Sequence, residues 1–198
     1  MSSKKILTIA SFLIIFLLNT EKVYSIEPDI FVQSTVNRAA KTLSGNFTKE
    51  ERIEKLKEIA SETVDINGIG NYTLGAYRKS INDEQIKTYK LLFRQYFLKS
   101  FASRLAEYSN PEIEVISKKK INKNYTMVSS ILVSTEKRPE VKIDWRVFTK
   151  NPNNPKIRDL IIEGLSLART QKEEFSSIIQ SNDGDINVLF ATLKKFIK

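Results

Sequence analysis

Apolar residues in the first half of the chain recur every three or four positions, which is the spacing of one face of an α-helix. One such repeat fills residues 31–43, between Pro28, a residue suited to a first helical turn, and Gly45, which is expected to end the helix. A second repeat begins after Thr48, and Glu51 stands three residues later, which is the arrangement of a capping box. These positions predict two consecutive helices.

A short glycine-containing segment follows, and then the longest helical repeat in the chain. Residues 66–77 include three glycines and are predicted to form a short helix that is broken or kinked. Asn82 and Gln85 form a second capping box, which predicts a long helix over residues 83–108. One face of this helix carries Ile86, Tyr89, Phe93, Tyr96, Phe97, Phe101, Leu105 and Tyr108. An aromatic face of this kind is typical of a core helix and can also form the wall of a pocket.

The middle of the chain changes to an alternation of apolar and polar residues, which is the pattern of half-buried β-strands. The strand candidates are residues 113–115, 125–133, 141–147 and 157–162. The connections between them are short, which favours an antiparallel meander. A run of lysines, residues 118–120 with Lys123, is expected in the first of these connections.

Two further helical segments, residues 165–180 and 186–196, close the chain. Helices, then strands, then helices is the order of an α+β fold. We predict a single domain over residues 26–198, with one curved antiparallel sheet of about four strands and about six helices packed on it. This architecture is of the cystatin-like or nuclear-transport-factor-like kind.

The N-terminal residues have the features of a secretory signal peptide. Two lysines precede an apolar run over residues 6–18, and residues 23–25 suit cleavage by a signal peptidase after Ser25. The apolar run is shorter than the roughly 20 residues that a membrane-spanning helix needs. An uncleaved anchor that leaves the domain in the same compartment is the alternative. We interpret residues 1–25 as a signal peptide, and with no cysteine available for disulfides the chain is expected in the bacterial periplasm.

Composition argues against several classes of function. The chain contains no histidine and no cysteine, so neither a Ser-His-Asp site nor a typical zinc site can form. The net charge is +9, but an exported protein is not expected to bind nucleic acid. A general bias towards lysine and attraction to anionic lipid are the two explanations of that charge.

Two aspartates in predicted strands are the remaining candidates for chemistry. Asp144 alternates with apolar neighbours and is expected on the solvent side of its strand. Asp159 interrupts an apolar run, where an ion pair with an arginine such as Arg78, or a contact with a helix terminus, is favoured over catalysis. We therefore expect no enzymatic activity.

Three hypotheses about function fit these features. The first is a carrier for an apolar ligand, held in a pocket between the sheet and the helices. The second is a partner-binding or structural module of the same fold with a filled core. The third is an enzyme of the cystatin-like or nuclear-transport-factor-like type, which the missing general bases disfavour.

Several segments, in order, give the chain a specific resemblance to a known family. They are residues 74–78 (LGAYR) with Gln85, the helical repeat of Phe93, Phe97 and Phe101, residues 141–146 (VKIDWR), and residues 159–167 (DLIIEGLSL) with Lys172 and Phe175. In these segments the chain resembles the MlaC family, the periplasmic phospholipid-transport proteins also called toluene-tolerance auxiliary proteins. The chain departs from the family pattern at Pro155, where an aromatic residue is common, and at residues 171–172, where a Tyr-Arg pair is common.

The resemblance implies a monomeric carrier of phospholipid with no catalytic activity and no cofactor besides the bound lipid. Such carriers hold the acyl chains in an apolar pocket and leave the head group exposed. They meet two partners transiently, an outer-membrane lipoprotein complex and an inner-membrane ABC transporter with a substrate-binding ring. Shuttling between the two membranes maintains the lipid asymmetry of the outer membrane.

The expected pocket combines inward strand positions with the aromatic helix. From the strands we predict Val128, Leu132, Ile143, Trp145, Val147, Leu160 and Ile162. From the helices we predict Tyr72, Leu74, Tyr77, Phe93, Phe97, Phe101 and Leu165. The register of residues 125–133 is open at this point, since Met127, Ile131 and Val133 suit the inner face as well as Val128 and Leu132 do.

Overall fold

The computed structural model describes residues 25–108, 110–136 and 138–198. Of the predicted signal peptide, residues 1–25, only Ser25 lies within these ranges, so that prediction concerns a segment outside the described residues. Within the same ranges, no helix is both long and apolar enough to cross a membrane.

Six α-helices and one short 3₁₀ helix form over the described residues. They are α1 (Pro28–Ser44), α2 (Lys49–Thr63), α3 (Ile66–Leu74), the 3₁₀ helix (Gly75–Lys79), α4 (Asp83–Leu105), α5 (Leu167–Gln180) and α6 (Ile186–Ile197). Both predicted capping boxes are confirmed, at Thr48 before α2 and at Asn82 before α4. The predicted break lies at Gly75, whose φ of 59° suits glycine far better than other residues.

Five strands form one antiparallel sheet in the order β1 to β5. They are β1 (Ile113–Asn122), β2 (Tyr125–Leu132), β3 (Val141–Phe148), β4 (Lys156–Ile162) and β5 (Leu165–Ser166). The predicted α+β fold is confirmed, with a fifth strand because residues 165 and 166, predicted as helix, pair with the end of β4. The prediction that lysines 118–120 form a connection is wrong, because β1 stays paired with β2 as far as Asn122.

Side chains of the central strands alternate between a buried face and a more exposed face. In β2 every second residue from Thr126 to Leu132 is buried. Val128 and Leu132 therefore join the core that the helices cover, whereas Met127 and Ile131 lie on the other face. The structure thus resolves the register that the sequence left open.

The core is densely filled where α3 meets α4 and α5. Tyr89 is fully buried, with its ring 5.7 Å from that of Phe93 and edge-on to that of Phe175 at 6.4 Å. The Tyr89 hydroxyl forms a 2.8 Å hydrogen bond with the hydroxyl of Thr73 on α3. Gly70 allows this close packing, because a Cβ at that position would lie 2.8 Å from the Phe93 ring. We call this region the filled core.

Candidate functional site

An apolar cavity of about 320 Å³ lies between the sheet and helices α1, α2, α4 and α5. From the strands its wall receives Leu132, Ile143, Trp145, Ile157, Leu160 and Ile162. From the helices the main apolar contributors are Val36, Leu43, Leu56, Ile59, Phe93, Phe97 and Phe101. The volume falls at the lower end of the roughly 300–1,000 Å³ that is typical of ligand pockets.

Three aromatic residues of α4 form one wall of the cavity. Phe93, Phe97 and Phe101, which we call the aromatic stripe, all line it. The ring centroids of Phe93 and Phe97 are 6.1 Å apart, and those of Phe97 and Phe101 are 5.6 Å apart with nearly parallel planes. Because residues four positions apart share a helix face, these contacts produce one continuous apolar surface.

The opposite wall is held in register by the pairing of β3 with β4. Trp145 lies beside Leu160, and Ile143 lies beside Ile162. The indole Nε1 of Trp145 donates a 2.8 Å hydrogen bond to the hydroxyl of Ser130, which in turn donates to the carbonyl of Ile143. These polar atoms are therefore paired with one another behind the wall. The surface that faces the cavity here is apolar.

The predicted pocket residues fall into groups that differ in their surroundings. Those that line the cavity are Phe93, Phe97, Phe101, Leu132, Ile143, Trp145, Leu160 and Ile162. Leu74, Val128 and Val147 are fully buried and belong to the hydrophobic core without lining the cavity. That any of these residues binds lipid stays a prediction.

The other predicted pocket residues lie nearer to the surface. Tyr77 is partly buried against the core. Tyr72 is 45% exposed, and its ring lies 5.3 Å from the ammonium group of Lys172. Leu165 is 59% exposed on the short strand β5. None of these three lines the cavity in this structure.

Sequence reasoning missed the share of the cavity wall that comes from α1 and α2. Residues such as Val36 and Leu43 of α1 and Leu56 and Ile59 of α2 line the cavity. Their helical repeat was visible in the sequence, but a repeat shows that a face is buried and not whether it meets a filled core or a cavity.

Sequence reasoning also missed a set of polar residues in the same wall. Tyr96, Ser100 and Arg104 of α4 and Gln171 and Glu174 of α5, which we call the polar rim, all line the cavity. On α4 they repeat every four residues, as the aromatic stripe does, so the two stripes run side by side. The four-residue spacing of Tyr96, Ser100 and Arg104 is visible in the sequence. It gives no indication of a polar cavity wall, because Tyr96 also fits the aromatic face of the helix.

Hydrogen bonds join the polar rim across the two helices. The hydroxyl of Tyr96 donates to Oε1 of Gln171 at 2.9 Å, and Nε2 of Gln171 donates to Glu174 at 2.8 Å. Burial raises the pKa of the Tyr96 phenol and the charge of Glu174 raises it further, while Gln171 and Arg104 act in the opposite direction. The phenol is therefore a protonated donor at neutral pH, and charges of both signs act on it.

Asp159 has a structural role at the edge of the cavity. It is 4% exposed, and its carboxylate accepts hydrogen bonds from the Ser166 hydroxyl at 2.7 Å and from the Ala168 backbone at 3.0 Å. The predicted helix-terminus contact is confirmed, because these groups form the start of α5. The arginine beside it is Arg146, with 3.6 Å between the charged groups, and the suggestion of Arg78 is wrong because Arg146 is its cross-strand neighbour.

The remaining chemistry of the region is limited. Asp144 is partly buried, accepts a 2.5 Å hydrogen bond from Ser129 and lies 3.5 Å from the ammonium group of Lys142. Within residues 25–108, 110–136 and 138–198, no three metal-ligating side chains converge on a possible ion site. An apolar enclosure with a polar rim suits a molecule that has an apolar body and a polar end.

The same fold occurs in a solved structure, the phospholipid-binding protein from Ralstonia solanacearum in complex with a phospholipid. The two structures align with a TM-score of 0.73 and 20% sequence identity, over 87% of this chain and 97% of that chain. At this identity the similarity shows a shared fold. No curated protein matches the chain.

The family model described as MlaC protein matches residues 32–195. This match reaches from α1 to α6 and includes both walls of the cavity. It confirms the resemblance that the sequence segments suggested. The chain belongs to the MlaC family.

Proposed function

We propose that this protein is a phospholipid carrier that encloses acyl chains in the cavity and leaves the head group at the polar rim. The observation that carries the proposal is the apolar cavity between the sheet and the aromatic stripe, which a module with a filled core would not need. Membership of the MlaC family supports the proposal. The fold shared with a protein described as phospholipid-binding supports it as well.

The cost of taking a phospholipid out of a bilayer explains why enclosure is needed. Two acyl chains carry about 25 to 30 methylenes, and at about 0.8 kcal/mol each their exposure to water costs on the order of 20 kcal/mol. A carrier has to replace nearly all of this apolar contact. It therefore needs a wall of large apolar side chains on every side of the chains, whereas the head group can remain in water.

A cavity of about 320 Å³ is small for two acyl chains, so we expect the lipid-bound cavity to be larger. The strands are joined by backbone pairing along their lengths, with one bulge between Arg146 and Val147. The helices contribute to the wall through side chains, whose contacts are individually weak. Widening by movement of the helices away from the sheet is therefore cheaper than separation of the strands.

The proposed carrier works in the periplasm as a monomer without enzymatic activity. It exchanges phospholipid with an outer-membrane lipoprotein complex and with an inner-membrane ABC transporter that has a substrate-binding ring, and thereby maintains outer-membrane lipid asymmetry. Family membership and the predicted signal peptide over residues 1–25 support this location and this cycle.

The proposal is tested by analysing what the protein carries when it is purified from a bacterial host. The mature chain, residues 26–198, is purified without detergent and denatured, and its organic extract is analysed by mass spectrometry. We expect about one intact phospholipid per chain.

The other outcomes separate the competing functions. A lipid-free extract, together with no uptake of phospholipid from vesicles, would contradict the carrier and favour a partner-binding module. Lyso-lipid or free fatty acid in place of intact lipid would indicate an enzyme. Resistance to trypsin is the folding control for a lipid-free sample. Lipid-free protein that resists trypsin would show that the chain had folded without a ligand.

A further inference from the structure

The polar rim contains two opposite charges that do not neutralise each other. Arg104 and Glu174 both line the cavity and are both exposed to solvent. Neither takes part in an ion pair within the described ranges, although Arg38, Arg146 and Arg158 each have an acidic partner there. The cavity wall therefore carries one cation, Arg104, and one exposed anion, Glu174, that are outside any ion pair among the described residues.

The two charges lie on two different helices that both line the cavity. Arg104 is in the last turn of α4, and Glu174 is in α5. Both charges act on the phenol of Tyr96 on α4, which donates a hydrogen bond to Gln171 on α5. The Glu174 carboxylate is held by Gln171, whereas the Arg104 guanidinium has no hydrogen-bond partner among the described residues.

A helix terminus alone does not explain this arrangement. A cation in the last turn of α4 is favoured by the helix dipole, and this accounts for the charge of Arg104. It does not account for the side on which Arg104 lies, next to the aromatic stripe and facing the cavity. Nor does it account for the Glu174 carboxylate on α5, which lines the same cavity.

We propose that the polar rim selects an amine-bearing zwitterionic phospholipid, with Arg104 donating to the phosphate and Glu174 accepting from the ammonium group. This inference rests on the proposed function, because acyl chains in the cavity bring the phosphate to its opening. A guanidinium donates through a planar fork that matches phosphate oxygens. A carboxylate stabilises a nearby ammonium and repels the anionic head group of phosphatidylglycerol.

The test is a competition between two head groups presented in the same membrane. Lipid-free protein is incubated with vesicles that contain equal amounts of phosphatidylethanolamine and phosphatidylglycerol with identical acyl chains, and the bound lipids are counted by mass spectrometry. Because both lipids share one vesicle, general attraction of a basic protein to an anionic surface does not bias the ratio. We expect the wild type to favour phosphatidylethanolamine about threefold, the size expected of exposed charge contacts.

Variants of the two charged residues show which of them causes the head-group preference. Glu174→Gln should abolish the preference, and Glu174→Lys should reverse it. Arg104→Gln should lower the loading of both lipids about threefold, and Arg104→Lys should restore part of it. The matched controls are Glu173→Gln and Arg169→Gln, since both residues are exposed on α5 and neither lines the cavity.

The outcomes separate this inference from the proposed function. Loading of wild type with both lipids in equal amounts, or an unchanged ratio in Glu174→Gln, would overturn the rim selectivity and leave the carrier function standing. Control variants that shift the ratio as much as Glu174→Gln would overturn it too, by showing an effect of net charge. No loading of wild type with either lipid would overturn both proposals.

Discussion

The N-terminal and C-terminal halves of α4 carry the same aromatic repeat but meet different surroundings. In the first half Tyr89 is completely buried, stacked on Phe93 and hydrogen-bonded to Thr73. In the second half Phe97 and Phe101 stack on each other and line the cavity, and both stay partly exposed.

The difference between the halves comes from α3. This helix ends at Leu74, and its contacts with α4 include Gly70 against Phe93 and Thr73 against Tyr89. Beyond this point α4 faces α1, α2 and the sheet across the cavity. The comparison teaches that one apolar stripe forms filled core where α3 packs directly against it and forms the wall of a cavity beyond the end of α3.

The largest expected effect is the loss of a ring from the filled half. Tyr89→Ala should lower the free energy of unfolding by about 3–5 kcal/mol, because it leaves a cavity in the core and removes the hydrogen bond to the Thr73 hydroxyl. Phe101→Ala, the matched change in the other half, should cost only about 1–2 kcal/mol, because its ring is partly exposed. Urea unfolding of the lipid-free proteins measures both values.

Equal losses in these two variants would contradict the distinction between the halves. A larger loss for Phe101→Ala than for Tyr89→Ala would mean that the cavity region is the better packed of the two.

Larger side chains test the same distinction between the cavity wall and the buried core. Leu160→Trp adds volume beside the cavity and should change the free energy of unfolding by less than about 1 kcal/mol, while lipid loading is lost. Val128→Trp adds volume to a fully buried position outside the cavity and should cost about 1–3 kcal/mol through overpacking. Thermal unfolding and lipid extraction of both variants test the pair.

Unfolding of Leu160→Trp would show that Leu160 is ordinary core. Normal lipid loading of a folded Leu160→Trp protein would show that the acyl chains lie elsewhere.

The smallest expected effect is a dependence of stability on alkaline pH. Burial holds the pKa of the Tyr89 phenol well above its ordinary value of 10. Above pH 10 the unfolded chain loses this proton while the folded chain keeps it, so stability present below pH 10 is lost as the pH rises, by up to about 1.4 kcal/mol per pH unit. Urea unfolding between pH 9 and about 11 should show this decline.

Tyr89→Phe is the control for the alkaline decline. Its slope should be shallower than that of the wild type and still present, because burial raises the pKa of Tyr96 as well. An identical dependence of the free energy of unfolding on pH in the two proteins would show that Tyr89 is not the source of the alkaline decline.

Local features of the sequence predicted most of the fold. The capping boxes at Thr48 and Asn82 depend on residues three positions apart, and both formed as expected. The register of β2 was not predictable in this way, since both faces of the strand carry apolar residues. The structure places the polar Ser130 inward because the indole of Trp145 needs an acceptor there.

The candidate site was predictable only in part, for a geometric reason. Tyr89 and Phe97 occupy equivalent positions in the same repeat, and nothing local distinguishes a filled surrounding from an empty one. That distinction depends on where α3 ends relative to α4, which is a tertiary property. Arg104 and Glu174 gain a shared environment only after α4 and α5 are brought together, so no spacing in the sequence marks them as a pair.

The most direct test of acyl chains in the cavity uses the single tryptophan of the chain. Trp145 lines the cavity, and a bromine atom on an acyl chain quenches an indole only at short range. Fluorescence is measured after loading with a phospholipid brominated on its acyl chains and with its unbrominated counterpart. The control is the double variant Trp145→Phe, Met127→Trp, which moves the indole to the opposite face of the sheet.

We expect strong quenching of Trp145 by the brominated lipid, none by the unbrominated lipid, and little quenching in the double variant. Bound brominated lipid that leaves the fluorescence of Trp145 unchanged would contradict the presence of acyl chains in the cavity.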